Sequence, residues 1–186
     1  SFDFSKSELE FITKDKKDKK EIVVINQYNR LVFVINPKKE KNANQHQENC
    51  RLLGDKLQAE VKDEKSAIII DVKGNQTESL AITEGLALAN YTFTKHKTEQ
   101  KPNKLKTIYL CKKADKKAVE ELQNIVDAVY LTRDLVNEPF SHLTAKDLAN
   151  AAKKSGEAHG FKTTIFNKKK IESLKMGGLL AVNKGS

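Results

Sequence analysis

Histidines, cysteines and paired carboxylates are the residues that most often carry chemistry, and this chain holds few of them in a useful spacing. The four histidines are His46, His96, His142 and His159. No two have the HExxH spacing that turns both imidazoles of one helix face toward a zinc ion, and none lies near a cysteine in a metal-ligand pattern. Each stands among polar neighbours and reads as a surface side chain. Cys50 and Cys111 are far apart and form no CxxC pair. Two lone cysteines read as small buried hydrophobes, since a disulfide needs the two Cβ atoms within about 4 Å. No serine lies in a GxSxG elbow, and no GxxxxGK[ST] phosphate loop is present. The one glycine pair, Gly177-Gly178, reads as a turn or a tight packing point rather than an anion cradle. The carboxylates are scattered, with no two set up as general acid and base. On residue chemistry alone the expected catalytic, cofactor-binding and metal-binding sets are all empty.

Charge and composition narrow the remaining classes. The 186 residues carry 34 Lys and Arg against 25 Asp and Glu, a net charge of +9. Only Arg30, Arg51 and Arg133 are arginines. Lysine is a hydrated point charge, whereas a nucleic-acid reader leans on arginine forks and stacking aromatics. Most lysines also stand beside acids, as in Lys14-Asp15-Lys16-Lys17-Asp18-Lys19-Lys20, so a solvated lysine surface is expected and a nucleic-acid partner is not. The excess is uneven. From Phe140 to Ser186 nine lysines face Asp147, Glu157 and Glu172, which puts +6 of the +9 in the last quarter. Such asymmetry points to two segments with different surroundings. Mean hydropathy is −0.60, and no apolar run approaches the roughly 18 residues of a membrane span. Ser1 to Lys20 has no apolar core of a secretory leader. A cytoplasmic protein is therefore expected. The chain opens without a methionine, so a cut or processed N-terminus is expected too.

The elements that would position any site read as follows. Leu9 to Thr13 is a short apolar run expected as a strand, and the lysine-rich stretch to Lys20 as a turn. Glu21–Asn26 and Leu31–Asn36 are β-branched runs joined by Gln27-Tyr28-Asn29-Arg30, which predicts a hairpin with a four-residue loop. Pro37 ends the second strand. Gln45 to Asp63 is a helix with Leu52, Leu53, Leu57 and Val61 on one face. Ala67–Val72 is continuously apolar, as a buried interior strand would be. Thr77 is placed to cap a helix reaching about Lys97, with Leu80, Ala87, Leu88 and Tyr91 inward. Lys106–Cys111 is a strand, and Ala114–Val136 a helix with Val119, Leu122, Val126, Val129 and Tyr130 at helical spacing. Asn137-Glu138-Pro139 breaks it. Thr144 is placed to cap a helix ending near Gly156 or Gly160. Phe161–Phe166 is expected as a strand, and Asn167 as the cap of a short helix holding Ile171 and Leu174. Strands first and then alternating β and α predict an α/β domain with helices on a mixed sheet.

Three segments together resemble one known family. Glu84-Gly85-Leu86-Ala87-Leu88-Ala89-Asn90-Tyr91-Thr92-Phe93, with Lys95 and Lys97 after it, is similar to a helix of the form EGxxLxxYxFxxYK, with His96 where an aromatic is frequent. Thr132-Arg133-Asp134-Leu135-Val136-Asn137-Glu138-Pro139, with Leu143-Thr144, resembles ARDLVNxPxNxLTP. Phe140 and Ser141 stand in its x-N positions and Ala145 replaces the final proline. Met176 to Ser186 is close to MGxLLAVxxGS. In this order the three resemble the leucyl aminopeptidase, or cytosol aminopeptidase, family of dinuclear metallopeptidases, from about Ala67 onward.

The resemblance implies a macro-domain-like three-layer α/β sandwich over residues 1–130. A linker and the opening of an incomplete catalytic domain would follow over 131–186. It implies a parent hydrolase that removes N-terminal amino acids from peptides, uses two zinc or manganese ions to activate a bridging water, and assembles as a homohexamer. The family's metal ligands and catalytic lysine and arginine lie in segments of the GKGxTFDxGG and NTDAEGRL type. Neither occurs here, so no site residue is carried over, Lys184 included, and this chain alone is expected to be inactive. The expected partners are the rest of its own catalytic domain and further copies of itself. Leu179, Leu180 and Val182 would form a strand and turn covered by that missing part, with the last 50 residues disordered or packed on a neighbour. The alternative is a stand-alone macro-like module binding nucleotide or nucleic acid.

Overall fold

A computed structural model describes residues 3–111 and 114–185. The chain divides into two compact units, Ser1–Thr132 and Arg133–Ser186.

The first unit opens with α1 (Lys6–Lys17). Ser5 caps it in a reciprocal box with Glu8, and lysines fill the last turn, where the helix dipole favours cations. The strand expected over Leu9 to Thr13 is therefore a helix. Its three apolar residues are too few to outweigh the cap and the charged i, i+4 neighbours. Next come β1 (Ile22–Asn26) and β2 (Leu31–Ile35), an antiparallel hairpin in which Ile22 faces Ile35 and Asn26 faces Leu31. The four-residue loop is as expected. Gln27 N–H bonds the Arg30 carbonyl at 3.0 Å, and Tyr28 takes a left-handed φ of 61°.

Helix α2 (Ala43–Val61) starts at Asn42, whose side chain accepts from the backbone of Asn44 and Gln45. Cys50, Leu53, Gly54, Leu57 and Val61 form its buried face. Leu52, expected on that face, points to solvent. Strand β3 (Ser66–Ile70) follows, then α3 (Gln76–Ala89), then β4 (Thr107–Cys111). Asn75, not Thr77, caps α3. The helix stops at Ala89, well before Lys97. Asn90 turns its side chain to the Leu105 carbonyl at 2.9 Å, and Asn103 returns a bond to the Asn90 carbonyl at 3.1 Å. A side chain that bonds distant backbone in this way competes with helix continuation. The fully buried face of α3 is Ser79, Ala81, Ile82, Thr83, Gly85 and Leu86, while the expected Leu80, Ala87, Leu88 and Tyr91 lie at its half-buried margin.

β3 and β4 pair in parallel, with Ile68 opposite Tyr109. One mixed sheet was expected. Instead the described residues form two separate pairs, the hairpin and β3–β4. Both lie on one cluster: Ile22, Phe33 and Ile35 from the hairpin and Ala67, Ile69 and Ile108 from the parallel pair pack against Cys50, Leu57, Val61, Ala81, Ile82 and Leu86. The α2–α3 layer thus covers one face of β3–β4. The other face is open, with Ile68 62 % exposed, so the interior strand expected over Ala67–Val72 is buried on one side only. Helix α4 (Lys116–Asn137) closes the first unit and runs on into the second. It buries Val126, and Tyr130 sets its ring edge-on to Tyr91, centroids 5.0 Å apart.

The second unit holds the end of α4, then α5 (Ala145–His159), α6 (Lys168–Ser173) and α7 (Gly177–Asn183). Thr144 caps α5 in a box with Asp147, and Gly160 ends it at φ 75°. Asn167 caps α6 through Lys170 N–H, as expected, with Leu174 just beyond its end. The strand expected over Phe161–Phe166 does not form. Its β-branched residues have no neighbouring strand to pair with, and propensity without a partner makes no ladder. The strand and turn expected around Leu179 to Val182 is helix α7, in which the backbone groups satisfy one another locally. Every buried apolar residue among those described belongs to the first unit. No helix of the described residues is long and apolar enough to cross a membrane.

Candidate functional site

The first signature segment forms the second half of α3, and its opening pair sits where α2 and α3 come closest. Arg51 Nε donates to Glu84 Oε2 at 2.8 Å, and Arg51 Nη1 to Glu48 Oε2 at 3.3 Å. The Glu84 hydrogen bond is the main cause that holds the guanidinium's pKa above its ordinary value. A Cβ on Gly85 would stand 1.9 Å from the Arg51 carbonyl oxygen, and one on Gly54 2.1 Å from that of Ile82. The two helices therefore meet backbone to backbone, and glycine at both positions is a steric requirement. His46, expected at the surface, is half-buried in the same seam, with Nε2 3.0 Å from Glu78 Oε1. The seam pairs His46 with Glu78 and Arg51 with Glu84, so residue numbers rise together and the helices run in the same sense.

The rest of that segment is structural too. The Tyr130 hydroxyl donates to the Ala87 carbonyl, tying α4 to the last turn of α3. Phe93 stacks obliquely on His96, centroids 5.7 Å apart. Asn90 Oδ1 is buried without a protein partner, beside its own bonded amide.

The second signature segment, Thr132–Pro139, is the last turn of α4 and its break. Pro139 accepts from His142 N–H at 2.8 Å and Leu143 N–H at 3.0 Å, which turns the chain into the Thr144 cap. The hydroxyl and backbone N–H of Thr144 both bond Asp147, and these bonds hold its carboxyl pKa below the usual value. The third segment is α7. A Cβ on Gly177 or Gly178 would meet nothing within 4 Å. The glycine pair is thus the first turn of a helix, neither a turn between strands nor a packing point.

The remaining chemistry-bearing residues stay apart. His96, His142 and His159 are exposed. Cys50 is buried with its thiol pushed up to about 11, chiefly by burial and then by Glu78 and Glu21. Cys111, expected to be buried, is exposed on β4. Among the described residues no group of three or more His, Cys, Asp or Glu side chains could hold a metal ion. The residues present therefore do not fit a two-metal centre, and no reaction step is derived through one. The α2–α3 pairings were not visible in the sequence, because residues about 32 apart carry no local periodicity that would mark them as partners.

The comparisons with known proteins match this arrangement. The model for the catalytic domain of the cytosol aminopeptidase family matches residues 130–186. A "Probable cytosol aminopeptidase" of Chloroherpeton thalassium is 39% identical over 171 residues, covering 74% of this chain and 33% of that protein. One of Clostridium tetani is 39% identical over 112 residues, covering 57% of this chain and 23% of its own length. Among solved structures, a mutant tomato leucine aminopeptidase superposes with a TM-score of 0.72 at 17% identity, over 91% of this chain and 37% of that one. The bottromycin maturation enzyme BotP in complex with Mn gives 0.69 at 17% identity, over 88% and 36%. At that identity these two speak for the fold alone. The chain spans a third or less of the length of these curated relatives. Signature segments, family model and relatives agree: the chain belongs to the leucyl aminopeptidase, or cytosol aminopeptidase, family.

Proposed function

We propose that this chain is the N-terminal part of a metal-dependent aminopeptidase that removes N-terminal amino acids from peptides in the cytoplasm. Residues 1–130 act as a macro-like, non-catalytic domain, and 131–186 are the linker and opening of the catalytic domain. On this reading the present residues serve interdomain packing and assembly into a homohexamer. The two zinc or manganese ions and their ligands belong to the remainder of the enzyme.

One observation carries the reading. In the second unit no apolar side chain is buried among the described residues, while Phe140 is 82 %, Leu179 59 % and Val182 77 % exposed. A segment with caps and helices but no core of its own is what the opening of a larger domain looks like, since exposed apolar patches of this kind mark an interface. The test is hydrolysis of leucine anilide with added manganese or zinc. The 186-residue chain is expected to be inert and the full-length enzyme active. Robust metal-dependent turnover by the 186-residue chain would overturn the assignment of the chemistry to the rest.

A further inference from the structure

We propose that the facing edges of β2 and β3 are the two sides of a slot for one more strand, filled by an extended segment of the parent polypeptide outside residues 1–186. The hairpin and the β3–β4 pair lie on one core. Phe33 and Ile35 of β2 and Ala67 and Ile69 of β3 all pack against the α2–α3 cluster. The exits of the two strands also meet, because Lys73 Nζ, just past β3, donates to Asn36 Oδ1, just past β2, at 3.1 Å. Yet among the described residues no ladder joins the two pairs. A long side chain, rather than backbone, spans the space between them. Paired strands lie about 4.8 Å apart, and room for one further strand doubles that to about 10 Å.

The hairpin register fixes which groups line the β2 side. Asn36 N–H donates to the Glu21 carbonyl at 2.8 Å, and Gln27 N–H to the Arg30 carbonyl at 3.0 Å. Antiparallel bonding alternates along a strand. Val32 and Val34, opposite Ile25 and Val23, therefore turn N–H and C=O to β1. Leu31, Phe33 and Ile35 turn theirs to the other edge, where no ladder partner is present among the described residues. β3 uses one edge for β4 and leaves the other unpaired. Such rows of unpaired N–H and C=O groups are a template for an added strand. The occupant is an extended segment of about five residues, the usual strand length. Its alternate side chains toward the helices are apolar, as Phe33, Ile35, Ala67 and Ile69 are. The inference rests on reading this chain as part of a longer enzyme. The chain spans 33% of the Chloroherpeton thalassium relative, so a polypeptide of that length has ample residues to supply the strand. A tethered segment also acts at an effective concentration that a second copy in dilute solution does not reach.

The experiment is residue-resolved hydrogen exchange of the 186-residue chain and of the full-length enzyme, and it requires no variant to fold. In the 186-residue chain the Val32 and Val34 amides are expected to be protected and those of Leu31, Phe33 and Ile35 open. In the full-length enzyme the same three amides are expected to gain about a hundredfold or more in protection. Protection of the three in the 186-residue chain at every concentration would mean that β2 and β3 pair directly. Protection that grows with the concentration of that chain would mean that a second copy supplies the strand. Either result overturns the proposal. A full-length enzyme that hydrolyses leucine anilide but leaves the three amides open also overturns it, with the proposed function still standing. Failure of the proposed function would show instead as an inert full-length protein, and the amides decide the slot independently of that activity.

Discussion

Arg51 on α2 donates through Nε to Glu84 on α3 at 2.8 Å, one residue from the glycine that lets the Arg51 carbonyl approach the α3 backbone. Ion pair and close approach are one device. The glycines bring the helices near enough for the pair to form, and the pair fixes which residues face each other.

The device predicts a sharp steric limit. Gly85→Ala would place a Cβ inside the Arg51 carbonyl, so the helices must separate and uncover Leu53 and Leu86. The expected cost is about 3 kcal/mol or more, beyond the ordinary range for overpacking because backbone rather than a side chain must move. Gly178→Ala meets nothing within 4 Å and sits in a helix. It is expected to be neutral, or stabilising by up to about 1 kcal/mol. Urea midpoints of the two variants measure the contrast, and equal losses would remove the steric argument.

The charge component is smaller. Arg51 and Glu84 are both partly open to solvent, with side-chain exposures of 33% and 20%. Screening therefore discounts the pair, and Glu84→Gln is expected to cost about 1 kcal/mol. A double-mutant cycle with Arg51→Met isolates the coupling. A coupling energy indistinguishable from zero would mean the glycines alone set the register.

How much of this was legible in the sequence depends on the range of the interaction. The hairpin with its four-residue loop, α2, the caps Thr144 and Asn167, and the break at Pro139 are local, and each follows from spacing or cap chemistry. The failures all turn on partners. Phe161–Phe166 and Leu179–Val182 have strand-like composition, but no described neighbour offers them a ladder. Ala67–Val72 is apolar enough for a strand buried on two sides, yet one face of β3–β4 stays open. Leu53, Leu57 and Val61 repeat at i, i+4 and i+8 and are buried, whereas Leu52 is turned about 100° from Leu53 around the helix and is exposed. The signature segments pointed to the family without revealing their local work, because Glu84 and Gly85 act on Arg51, a residue outside all three.

Thiol chemistry separates the two cysteines. Burial, and then Glu78 and Glu21, push the Cys50 thiol up to about 11, whereas Cys111 is exposed. One thiol is expected to react with an aromatic disulfide within the mixing time at pH 8, and the second only on unfolding. Cys111→Ser should abolish the fast phase. The sign of the linked stability follows. The raised pKa favours the folded state while the thiol stays protonated, so the contribution is complete below 9.0 and declines as pH rises toward about 11. Two fast thiols in the folded chain would contradict the buried position of Cys50.

The Thr144–Asp147 box sets an opposite dependence at α5. Hydrogen bonds from Thr144 hold the Asp147 carboxyl below its usual range. A depressed carboxyl supports the fold above its ordinary value of 3.8 and loses that support as pH falls through the depressed value. The protection factor of the amides at the start of α5, taken relative to the intrinsic exchange rate at each pH, is therefore expected to fall on acidification in the wild type. In Thr144→Ala protection should be lower throughout, because the hydroxyl's bonds to the Asp147 carboxylate and from the Asp147 N–H are gone while the backbone N–H of residue 144 stays. Exchange that is insensitive to both changes would show that α5 is held by other contacts.

The exposed side of the second unit separates folding from association. Leu179 and Val182 lie largely in solvent on α7. Replacing both with serine removes little buried area, so the stability of the 186-residue chain is expected to change by no more than about 0.5 kcal/mol per site. Self-association and binding of a hydrophobic dye should fall, since the same side chains make up part of the open apolar surface. In the full-length enzyme the same double substitution is expected to be destabilising by about 2 kcal/mol or more, because there the side chains would be covered. A small effect in both proteins would mean that this side of α7 is not an interface at all. A large effect in the 186-residue chain would mean that the second unit has a core of its own.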